Sequence, residues 1–113
     1  MAEEFINHLI EILNISKKYN FVEADNYISK LNRMINFNIA LSEEIIKKIM
    51  VPIKEYKQVL VDKDYNYFNN NKVDLYEKDI TDFFTAKWKS FDQKDKSRIF
   101  HLLKKMYNLG IKI

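Results

Sequence analysis

Hydrophobic positions recur at helical spacing in five successive stretches of this chain. Within residues 2–18, Phe5, Leu9, Ile12, Leu13 and Ser16 share one face at the 3.6-residue period, and Ile6 and Ile10 widen it. Glu3 and Glu4 at the start and Lys17 and Lys18 at the end suit the helix dipole. A second helix is predicted from Phe21 to about Ile35, with Asn20 as its cap and Glu23 three residues on. Its inner face is Phe21, Ala24, Ile28, Leu31 and Ile35. The third is expected to start at the N-cap Ser42, with Leu41 and Ile46 as a hydrophobic staple. Its stripe of Ile45, Ile49, Ile53, Tyr56 and Leu60 keeps phase through Pro52. This predicts one helix from about Glu43 to Val61, kinked where the proline removes a bond to the carbonyl of Lys48, with a break into two helices as the alternative.

Asp62 to Lys72 is a polar interruption ending in Asn69, Asn70 and Asn71. Asp74 and Glu77 then offer a capping pair for a helix from Leu75 to about Ser90, with Tyr76, Ile80, Phe83, Phe84 and Trp88 inward. Asp92 with Asp95 opens a last helix, Gln93 to Asn108, for which Gly110 is the expected left-handed cap. The pattern predicts an all-α fold: a compact antiparallel bundle of about five helical segments forming one domain over residues 1–113. Ile45, Ile49, Ile53, Phe83, Phe84, Leu102, Leu103 and Met106 are its expected core.

Composition agrees with that class and narrows the chemistry. One glycine and one proline leave too few turn residues for a sandwich or barrel. The single glycine also excludes a P-loop and a dinucleotide fingerprint. The absence of cysteine removes disulfides, thiolate metal sites and cysteine nucleophiles. The acidic start Met1-Ala-Glu-Glu4 is unlike a signal peptide, and the apolar run Ile49 to Ile53 is far below the ~20 residues that span a bilayer. An intracellular protein with no membrane span is therefore expected, and the sequon at Asn14 is expected to stay unmodified.

Charge is unevenly spread. From Lys87 onward there are eight cations (Lys87, Lys89, Lys94, Lys96, Arg98, Lys104, Lys105 and Lys112) against Asp92 and Asp95. That balance of +6 in a chain of net +3 leaves −3 for everything before Lys87. On the last helix, at 100° per residue, Lys94, Arg98, His101 and Lys105 fall within an arc of about 60°. Ile99, Leu102, Leu103 and Met106 fill the opposite face. Such a stripe can follow phosphates or an acidic protein surface. Lys87 and Lys89 add cations at the end of the preceding helix, where Lys87 is expected to snorkel from among Phe83, Phe84 and Phe91.

Other candidates carry less. Asp62, Asp64 and Asn66 imitate the first ligands of an EF-hand loop, but Tyr67 replaces the turn glycine and Val73 the bidentate glutamate. No metal is expected there. His101 has no carboxylate or second histidine at helical ligand spacing, and His8 has only Glu4 and Glu11 there with no second histidine, so no local metal motif is expected. Tyr65, Tyr67 and Phe68 could stack on nucleic-acid bases, although anchoring of the loop to the core is favoured.

The segment from Phe83 through Trp88, Asp92, Lys96 and Phe100 to Tyr107 resembles a C-terminal element of largely uncharacterised helical proteins of giant nucleocytoplasmic DNA viruses. There a Phe/Trp helix, a short polar turn and a basic-aromatic final helix follow one another. The resemblance covers about the last quarter of the chain, and it implies a viral origin without carrying over functional residues. Lysine far in excess of arginine, and abundant isoleucine and asparagine, match an AT-rich genome. If viral, the expected location is host cytoplasm, nucleus or virion. The expected function is non-enzymatic: binding a protein partner or self-associating, with no cofactor. The alternative is a nucleic-acid-associated protein using the basic last helix, and the third is an enzyme whose site leaves no sequence motif. Lys94, Arg98, His101, Lys105, Lys87 and Lys89 are the candidate contacts for a partner or phosphate.

Overall fold

A computed structural model describes residues 1–113, apart from the side chain of Ile39. Among the described residues the regular structure is helical throughout: α1 (Ala2–Ser16), α2 (Ala24–Phe37), α3 (Ile39–Glu55), α4 (Lys57–Val61), α5 (Tyr67–Asn70), α6 (Lys78–Lys87) and α7 (Gln93–Gly110). Short 3-10 turns follow α1 and α6, at Lys17–Tyr19 and Trp88–Ser90. The all-α bundle is thus the fold, with a radius of gyration of 13.2 Å. Five helices are seven residues or longer, and two shorter ones sit between α3 and α6. α1 lies at the centre, packed on α7, α2 and α3, and one apolar cluster runs through all of them.

Several helix ends differ from expectation, each for a local reason. Asn20 does not cap α2. It takes φ 68°, a left-handed turn that closes the 3-10 extension of α1, and α2 begins only at Ala24. Ser42 is not the cap of α3 either, because Asn38 holds that position and its Oδ1 accepts from the Leu41 N–H at 3.0 Å. Ser42 is buried inside the first turn, where its hydroxyl donates to the Asn38 carbonyl at 3.2 Å. Leu41 is exposed, so no staple forms. The stripe of α3 continues through Pro52, and the interruption comes at Tyr56, whose N–H turns to the Ile53 carbonyl at 3.0 Å.

The helix expected from Leu75 starts at Lys78. Tyr76 adopts φ 58°, and the Leu75 and Val73 N–H groups are taken by the Thr81 and Thr85 hydroxyls of α6 at 2.9 and 3.1 Å, so Val73–Leu75 is tied to α6 without joining it. Glu77 stands at the N-cap without a side-chain cap bond. Asp92 does cap α7, accepting from the Asp95 N–H at 2.8 Å. Gly110, however, is not left-handed. It is the last residue of α7, and a Cβ there would meet the Met50 sulfur at 2.2 Å, so the Met50 side chain of α3 occupies the space that a larger residue would need.

Of the expected core, Ile49, Ile53, Phe84, Leu102, Leu103 and Met106 are buried, while Ile45 and Phe83 are partly exposed at its margin. Trp88 is the aromatic hub. It is fully buried among Phe68, Phe91 and Phe100, with ring centroids 5.2, 5.7 and 5.8 Å away.

Candidate functional site

α1 and α7 run antiparallel, which sets Glu11 against Arg98 and Lys18 against Asp95. The third wall is the corner after α4. There Lys63 takes φ 52°, and the Trp88 indole N–H donates to the Tyr65 carbonyl at 2.7 Å. That bond and an edge-on contact with Phe100 at 4.8 Å fix the Tyr65 ring. Phe68 is buried one turn later, so Tyr65 and Phe68 anchor this loop to the core. The three walls enclose a groove of about 690 Å³. Ile15, Leu60, Tyr65 and Phe100 give it an apolar floor, and Lys18, Lys63, Lys94, Arg98, His101 and Lys104 surround them.

The groove's two carboxylates are already engaged. Glu11 receives the Arg98 guanidinium, with Nε at 2.7 Å. Asp95 is buried and accepts from the Tyr19 hydroxyl at 2.5 Å and from Lys18 Nζ at 3.1 Å. Burial alone would raise its pKa, yet the bonds from Tyr19 and Lys18 and the charges of Lys18 and Lys94 outweigh this and hold it below the ordinary aspartate value. The same Tyr19 oxygen accepts from the Asp92 N–H at 3.0 Å, tying the end of α1 to the start of α7. Lys63, Lys94 and Lys104 make no ion pair among the described residues.

The expected stripe is divided by this geometry. Lys94, Arg98 and His101 converge on the groove, whereas Lys105 stands outside its lining, near His8 on α1. Burial, then the charge of Lys105, push the His8 pKa below its usual value. Lys87 is exposed on α6, as snorkelling requires, and Lys89 is exposed on the following turn; both lie outside the groove lining. Lys96 is withdrawn from the surface altogether. It is 8% exposed, with its ammonium 5.9 Å from the Trp88 ring centroid. Lys18, Lys63 and Lys104 are groove cations that helical phase did not single out. Lys63 carried a signal of another kind, since it lies inside the acidic loop read as an EF-hand imitation.

In that loop the Asp62 carboxylate accepts from Gln58 Nε2 at 2.9 Å, and Asn66 Oδ1 accepts from Asn69 at 3.4 Å. Among the described residues no three His, Cys, Asp or Glu side chains converge as a metal site. No described helix is long and apolar enough to cross a membrane. Comparison with known protein families, curated proteins and solved structures finds no match for this chain.

Proposed function

We propose that the protein is a non-enzymatic binding module whose groove between α1, α7 and the post-α4 corner receives an acidic segment of a protein. The observation that carries this reading is the pairing of an apolar floor with three uncommitted lysines around it. Such a lining matches a segment that offers a large apolar side chain flanked by carboxylates. A phosphate backbone would use the cations but not the floor. The carboxylates of Glu11 and Asp95 also support binding over catalysis. Both are held by cations, and Asp95 has a lowered pKa, which makes it a poor proton acceptor. The residue usage and the C-terminal resemblance support a viral origin for this module.

The test is fluorescence anisotropy with two labelled probes at near-physiological salt: a short Glu/Asp-rich peptide with one central Phe, and a single-stranded oligonucleotide of equal length. The expected result is saturable peptide binding that is lost in Lys94→Glu/Lys104→Glu, with the oligonucleotide much weaker. An oligonucleotide that binds tightly and is lost in the same variant, while the peptide does not bind, would replace this reading with the nucleic-acid one.

A further inference from the structure

Opposite in chemistry to the groove is the junction of α2 and α3. Phe37, the last residue of α2, is 84% exposed, the highest value among the described large apolar side chains. Leu41, four residues on, is 42% exposed. Between Met34 and Ile46 the only charged residues are Glu43 and Glu44, both exposed on the first turns of α3. Single exposed apolar residues are ordinary on a protein surface. Here two of them share a short helix junction with two carboxylates; the nearest cations along the chain are Arg33 and Lys47, and in space Lys112 lines a shallow concavity together with Glu43 and Glu3. The result is an exposed apolar junction with two exposed carboxylates on the following turn.

We infer that this junction is the groove's occupant: Phe37 of one copy seats on the Ile15, Leu60 and Phe100 floor of a second copy, with Glu43 and Glu44 facing Lys63, Lys94 and Lys104. The inference rests on the proposed reading of the groove and adds the identity of its partner. Charge complementarity and matching apolar surfaces argue for it. So does the separation of the two surfaces, which share no residue, so one copy can offer both at once. Contacts of that kind are head-to-tail. They continue into a ring or an open filament instead of stopping at a twofold dimer.

Sedimentation velocity on the full chain tests this with three proteins: wild type, a junction variant (Phe37→Ser/Glu43→Lys/Glu44→Lys) and a groove variant (Lys94→Glu/Lys104→Glu). All the changed side chains are exposed, and circular dichroism checks that each variant keeps its helices. Wild type is expected to assemble as concentration rises, and each variant alone to remain monomeric. An equimolar mixture of the two variants should stop at a heterodimer, because the junction variant keeps a working groove and the groove variant keeps a working junction. Phe37→Ser alone should weaken assembly without touching charge. Wild type that stays monomeric at its highest soluble concentration overturns the inference, as does a junction variant that assembles like wild type. If the acidic peptide still binds the groove in either case, the reading of the groove stands and only the identity of its occupant falls.

Discussion

Leu102 and Leu103 are fully buried side by side on α7, yet the helical period points them to different neighbours. Replacing either by alanine removes three buried carbons and leaves a cavity, so each change should cost about 2–5 kcal/mol in urea unfolding. A loss below about 0.5 kcal/mol would mean that the side chain is not core. His8 is a different kind of residue-scale case. Its lowered pKa means that the unfolded chain takes up a proton more readily than the folded one. Its contribution to stability is therefore intact above the unfolded pKa of about 6.5 and declines as pH falls below it. Desolvation is the larger cause and the charge of Lys105 the second. Lys105→Gln should therefore raise the His8 pKa part of the way back, measurable by NMR titration of its ring protons. An unchanged titration would show that Lys105 does not act on His8.

At the scale of elements, the interiors of the helices were readable from hydrophobic phase and their ends were not. The stripes of α1 and α7, and that of α3 apart from the partly exposed Ile45, are buried as phase required, because burial of an apolar face determines which way a helix turns. The ends depend on single hydrogen bonds among several candidates. Asn38 and Ser42 are both good caps, and the buried environment at Ser42 decided between them. The start of α6 was hidden because the Thr81 hydroxyl, six residues away, captures the Leu75 N–H. The groove was half legible. One helix supplies Lys94, Arg98 and His101 in phase, but Lys18 and Lys63 reach it only through the packing of α1 and the corner after α4. Gly110 makes the same point, since its role lies in the nearness of Met50, sixty residues earlier, and not in its own turn. Alanine at this position gains helix propensity of about 1 kcal/mol but forces the buried Met50 side chain to move, at about 1–3 kcal/mol. Gly110→Ala should thus be neutral to destabilising, by up to about 2 kcal/mol. A clear rise in melting temperature would show that the Met50 side chain does not occupy that space.

For the whole molecule, the tie between the first and last helices is polar and acid-sensitive. The Tyr19 hydroxyl joins α1 to α7 by donating to Asp95 and accepting from the Asp92 N–H, while its ring stacks on Phe91 at 4.1 Å. Because the Asp95 pKa is lowered in the folded protein, its contribution to stability is fully present above the unfolded value of about 3.9. That contribution is lost as pH falls through the folded pKa. Tyr19→Phe keeps the stacking ring but removes the bond to the carboxylate, so the folded pKa of Asp95 should rise toward the unfolded one. The variant should accordingly lose about 1–3 kcal/mol at neutral pH, the usual cost of a hydrogen bond to a charged group. On acidification to about pH 2–3 the difference from wild type should shrink, because protonation of Asp95 removes the same interaction from both proteins. It should not vanish, since the bond from the Asp92 N–H to Tyr19 does not depend on that carboxyl group. Urea unfolding of both proteins across this range gives the comparison. A difference that stays constant with pH would show that Tyr19 stabilises the α1–α7 junction through its ring and the Asp92 bond alone, with no share in holding Asp95 ionised.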